Sequence, residues 1–94
     1  MTRAEILDKA KQCVCGDREE DYGTVENNFQ RIADFWNAYL GFFKALTAKD
    51  VAAMMALLKI ARIASGHAKS DNWVDLAGYA ACGGEIESEG GENK

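Results

Sequence analysis

Two sets of charged residues in the second half of the chain point most directly to chemistry. Lys59 and Arg62 stand three residues apart, and Asp71, Asp75 and Tyr79 follow at steps of four. On helices each set shares one face. Asp71 reads as a helix cap. Asp75 falls in a second turn, where a helix needs no acid, and two carboxylates at i and i+4 repel each other by roughly a few tenths of a kcal/mol. A cation or a basic partner relieves that cost. Two readings stay open. Lys59 and Arg62 complement the dipole at the end of their helix and salt-bridge to Asp71 or Asp75 across a hairpin. Alternatively, the two basic groups hold the phosphates of a ligand while the acids bind Mg²⁺ or a sugar hydroxyl.

The stretch REEDYGTVENNF, residues 18–29, raises the same choice. Arg18, Glu19, Glu20 and Asp21 precede a Tyr22-Gly23 turn. As a surface loop, Tyr22 packs its ring on the fold and Gly23 supplies a backbone angle that other residues avoid. As a site, Asp21 and Tyr22 sit at the mouth of the following helix, whose free N–H groups favour anions. We expect the second, with Asp21 and Tyr22 near Arg62 and Asp75 within one subunit or across an interface. The candidate ligand residues are therefore Arg18, Asp21, Tyr22, Lys59, Arg62, Asp71, Asp75 and Tyr79, with Asp71 and Asp75 as the Mg²⁺ pair if the chemistry needs a metal.

Other reactive side chains offer less. His67 has no Ser or Cys at a catalytic spacing and reads as a surface histidine. Cys13, Cys15 and Cys82 match neither a disulfide framework nor a zinc pattern and read as small buried or half-buried thiols. The chain has no P-loop, no GxGxxG and no HExxH.

Four helical segments must position these residues. Arg3 to Val14 opens with Thr2-x-x-Glu5, a capping-box pattern, carries Ile6, Ala10, Cys13 and Val14 as its stripe, and stops at Gly16. Val25 to Phe43 starts behind Thr24, its N-cap, and places Val25, Phe29, Ile32, Ala33, Trp36, Leu40 and Phe43 on one broad face, with Gln30, Asp34 and Asn37 elsewhere. Ala48 to Ser65 starts behind Thr47, and its first half, VAAMMALL, is apolar all round. Such a helix must be buried on more than one side, which in 94 residues implies a second subunit. Asn72 to Glu87 starts behind Ser70 or Asp71 and is rich in Ala and Gly, which admits close helix approach; Trp73, Leu76 and Ala80 suit its core side. Gly83-Gly84 offers an earlier stop, which leaves residues 85–94 as an acidic tail that contributes little.

The expected fold is all-α, a single small four-helix bundle over residues 1–94, acting as a homo-oligomer. Composition agrees, at 48% hydrophobic and 28% charged with no proline. The net charge of −4 argues against nonspecific binding to nucleic acid or an anionic membrane. MTRAEILDKAK lacks the apolar core of a signal peptide, and no apolar run approaches the roughly 20 residues of a membrane helix. The expected location is the cytoplasm.

Taken together, GDREEDYGTVENNFQRIADFW, DVAAMMALLKIAR and DNWVDLAGYAA resemble a family of small phage and prophage proteins of unknown function, across about residues 16–82. The DYG turn paired with the late D-x-x-x-D-L-A-x-Y-A helix also resembles phage nucleotide-modification-associated domains. More distantly, it is similar to the all-α nucleoside triphosphate pyrophosphohydrolases of the MazG type. That last resemblance implies carboxylate pairs holding Mg²⁺ around a pyrophosphate. Asp71 and Asp75 are spaced by four where that group uses three, and Glu19, Glu20, Asp21 and Glu26 make no E-x-x-E. The combined expectation is a phage-type protein, working in the host cytoplasm, that binds a nucleotide-derived ligand and sequesters a host immune signal. The alternatives are a Mg²⁺-dependent pyrophosphohydrolase and a protein-interaction module.

Overall fold

Helix boundaries in the computed structural model follow local chemistry closely. It describes residues 1–17, 24–41, 45–66 and 69–89. Helix α1 spans Arg3–Gln12 and runs into a π-helical turn at Cys13–Asp17. The Thr2–Glu5 capping box forms in both directions, with the Glu5 amide donating to Thr2 Oγ1 at 3.1 Å and the Thr2 amide to Glu5 Oε1 at 2.7 Å. Helix α2, Val25–Leu40, is capped by Thr24, whose hydroxyl accepts from the Asn27 amide. It ends at Gly41 with φ 74°, a left-handed conformation that glycine adopts freely. The helix therefore stops short of the expected Phe43.

Helix α3, Ala48–Ala64, opens with a second capping box, between Thr47 and Asp50. Helix α4 runs unbroken from Ser70 to Glu89. Gly83 and Gly84 lie inside it and do not end it; Gly83 packs closely on Ala52, which offsets its low helix propensity. Among the described residues all regular structure is helical, in these four helices and the π turn.

Helices α3 and α4 form the central antiparallel hairpin. Three contacts set its register: Lys49 with Glu87, Ala52 with Gly83, and Lys59 with Asp75. Helix α2 packs on α3, and α1 packs on α4. The core gathers Val25, Phe29, Ala33, Ala48, Val51, Ala52, Cys82 and Ile86, with Tyr79 and Trp36 against it. The Phe29 and Tyr79 rings meet 6.1 Å apart, tying α2 to α4. The close approaches depend on absent side chains. A Cβ on Gly83 would lie 3.1 Å from the Ala52 Cβ, and one on Gly78 would lie 3.1 Å from Val14 Cγ1.

Several expectations change. Cys13 and Cys15 are exposed, and only Cys82 is buried. Val14 is the residue aimed at α4, against Gly78, so its two chain neighbours point to other sides. Trp73 is 48% exposed, because the buried side of α4 carries Val74, Gly78, Cys82 and Ile86 instead. Asn37 is buried, contrary to its expected outward placement. Its side-chain amide donates to the Leu46 carbonyl at 3.0 Å, and its oxygen accepts from the Leu46 amide at 2.7 Å. Ile86 belongs to the core, so part of the segment expected to be an idle acidic tail is structural. The apolar surround of α3 is only half covered: Val51 and Ala52 are buried, while Met54, Leu57 and Leu58 are exposed. Among the described residues, no helix is long and apolar enough to cross a membrane.

Candidate functional site

The turn between α3 and α4 brings the second-half charges together. The capping box fixes where α3 begins, and the Ala52–Gly83 contact fixes how α4 lies against it. The resulting register places Lys59 opposite Asp75, and Lys59 Nζ sits 3.1 Å from Asp75 Oδ2. The lysine side chain is 12% exposed and the aspartate 40%. A pair with one largely covered partner holds its geometry better than a surface pair.

Around this pair lies an open cleft of about 470 Å³ lined by Lys59, Arg62, Ser65, Lys69, Asp71, Asn72 and Asp75. The cleft thus gathers three cations and two carboxylates, with Lys59 and Asp75 committed to each other. Arg62 and Lys69 are exposed on its wall and have no ion-pair partner among the described residues. Arg62 also lies in the last turn of α3, where its charge complements the helix dipole. Asn72 is buried in the first turns of α4, and Ser65 donates its hydroxyl to the Arg62 carbonyl at 2.7 Å. The arrangement presents a planar guanidinium and an ammonium toward solvent above a fixed ion pair. That is an anion-accepting surface with polar groups at its rim.

Lys59, Arg62, Asp71 and Asp75 thus line one cleft. Tyr79 does not line it, being one turn further along α4 against the core cluster and Phe29. Arg18, Asp21, Tyr22 and His67 lie outside the described residues, and with them the expected meeting of the DYG turn with Arg62. Ser65, Lys69 and Asn72 are cleft residues that the periodicity argument missed. Their one signal was proximity to the turn, since Lys69 directly precedes the first residue of α4. Among the described residues no three or more His, Cys, Asp or Glu side chains gather closely enough to hold a metal ion.

Fold and cleft together define a small all-α protein with a basic cleft at the turn of its central hairpin. The chain belongs to the DUF6378 family, a domain of unknown function, which it matches over residues 5–87. It is similar to the Gene 55 protein of Mycobacterium phage L5, with 45% identity over 75 residues, covering 80% of this chain and 47% of that protein. It is also similar to the Gene 55 protein of Mycobacterium phage D29, with 38% identity over 84 residues, covering 89% of this chain and 54% of that protein. The chain thus spans about half the length of these curated relatives. These matches agree with the expected kinship to small phage proteins of unknown function. No solved structure matches the chain.

Proposed function

We propose that the α3–α4 cleft binds the phosphate of a nucleotide-derived small molecule, and that the protein acts by holding that molecule in the host cell. The observation that carries this reading is the pairing pattern inside the cleft. Asp75 neutralises Lys59, and Arg62 and Lys69 against the single Asp71 carboxylate leave one surplus positive charge facing the cavity. Arginine suits phosphate because its fork donates two parallel hydrogen bonds. The buried Asn72 amide and the Asp71 carboxylate line the same cleft and offer partners for a sugar or base.

Sequestration is favoured over Mg²⁺-dependent hydrolysis by the number of carboxylates. Metal-assisted pyrophosphate chemistry draws on several converging acids. Here Asp71 and Asp75 are the cleft's carboxylates among the described residues, and Asp75 is engaged by Lys59. If Mg²⁺ binds with the ligand, these two are the side chains placed to hold it.

Native mass spectrometry of the protein with linear and cyclic nucleotides, with and without Mg²⁺, tests the reading. An intact nucleotide retained at fixed stoichiometry is the expected result. Arg62→Ala and Lys69→Ala should each weaken binding by roughly tenfold or more at low salt. A released monophosphate or pyrophosphate, seen only with Mg²⁺, would move the assignment to hydrolysis. Retention of no nucleotide from the panel would overturn the reading.

A further inference from the structure

Helices α1, α2 and α3 each begin behind a threonine, and Thr2, Thr24 and Thr47 each accept a hydrogen bond from a first-turn amide. Helix α4 begins behind Lys69 instead. A lysine side chain carries only donors, so it cannot cap those amides. The Asn72 amide donates to the Lys69 carbonyl at 2.9 Å, but among the described residues nothing accepts from the Ser70 and Asp71 amides. This 20-residue helix therefore brings an uncapped positive end to the cleft that Lys69, Asp71 and Asn72 line.

A second feature at the same place is independent of the helix end. The Asn72 side chain is buried, at 8% exposed, yet its carboxamide makes no hydrogen bond among the described residues. No fully enclosed side-chain polar atom among those residues lacks a partner. The Asn72 donor and acceptor therefore reach the open space of the cleft that the residue lines. A largely buried amide without a partner costs stability, and a ligand that enters the cleft supplies the missing partner.

Charge narrows the kind of anion that fits. Three cations and two carboxylates line the cleft, which leaves it one positive charge. Asp71 is the second residue of α4, next to the open amides, and has no ion pair among the described residues. Its carboxylate repels a second negative charge brought to that helix end. A phosphodiester brings one negative charge, a phosphomonoester close to two at pH 7, and a triphosphate more.

We propose, on the nucleotide reading of the cleft, that the open N-terminus of α4 and the Asn72 carboxamide seat a singly charged phosphodiester. Arg62 and Lys69 draw the phosphate in. The α4 amides and Asn72 hold its two free oxygens as neutral donors. Asp71 disfavours more highly charged phosphates. A cyclic nucleotide or a dinucleoside monophosphate meets these requirements.

Isothermal titration calorimetry of the full chain, in EDTA at about pH 7.5 where monoesters are close to dianionic, compares ligands that share a base. AMP and ATP are set against 3′,5′-cyclic AMP and the dinucleotide ApA, with the guanine counterparts alongside. The diesters should bind roughly tenfold or more tighter than the mono- and triphosphates. Asp71→Asn should narrow that preference by roughly threefold or more. Asn72→Leu should weaken diester binding by roughly tenfold or more while its thermal midpoint stays level or rises, since an unpartnered polar group is removed. A lowered midpoint would make Asn72 structural and overturn its assignment. Mono- or triphosphates that bind as tightly as the diesters, or diester binding that survives Asn72→Leu, would overturn this inference and leave the nucleotide reading standing. Binding of neither kind would overturn the nucleotide reading itself, and this inference with it.

Discussion

Asn37 shows how one side chain can control a connection. Its amide makes both hydrogen bonds that the Leu46 backbone needs, nine residues away. Replacing it leaves a part-buried donor and acceptor on Leu46 without protein partners, and such groups cost more than a lost hydrogen bond is worth. Asn37→Ala should lower stability by about 2–3 kcal/mol in urea denaturation; a loss below about 0.5 kcal/mol would show that water replaces the amide there. Ile86 is the second residue-scale case. It is 7% exposed and packs in the main core. Ile86→Ala should cost about 2–4 kcal/mol in the same assay, whereas an idle tail residue would cost nothing measurable.

At the scale of elements, caps and close approaches dominate. Thr47 and Asp50 start α3 with a reciprocal pair of hydrogen bonds. Thr47→Ala should cost about 1 kcal/mol, read as a lowered thermal midpoint. The hairpin itself depends on Gly83. A valine there would press two further methyl groups into the Ala52 contact, where even one Cβ is tight. Gly83→Val should destabilise by about 1–3 kcal/mol despite its higher helix propensity, and a stabilised variant would show that the helices can part without cost. By contrast, Lys49 and Glu87 pair at 3.6 Å with both side chains more than half exposed. Their contribution to stability is small.

At the scale of the molecule, the small core and the uncovered hairpin face belong to one argument. The first half of α3 is apolar all round, yet among the described residues its neighbours cover only part of its circumference. The remaining apolar surface is a liability for a monomer and a resource for an assembly. The basic cleft opens at the turn of the same hairpin, so the element that carries the site also carries the bare face. Within that hairpin Lys59 stands opposite Asp75.

The sequence by itself determined the helix class, the four segments and the starts of the first three, while α4 begins at Ser70, two residues before the expected Asn72. Those features follow from local rules: capping residues, apolar periodicity and the absence of proline. It also determined that Lys59 and Arg62 share a face, and Asp71 with Asp75, because helical spacing alone requires it. Tertiary structure decided which sides were buried. Trp73 faced out and Asn37 faced in because α1, α2 and α3 approached from particular directions, and side-chain type does not encode direction. The continuation of α4 through Gly83 and Gly84 was likewise a tertiary outcome, since packing of Ala52 and Ile86 outweighed glycine's local preference. Lys69, Ser65 and Asn72 joined the cleft only through the fold of the turn, where residues without a common helical period come together in space.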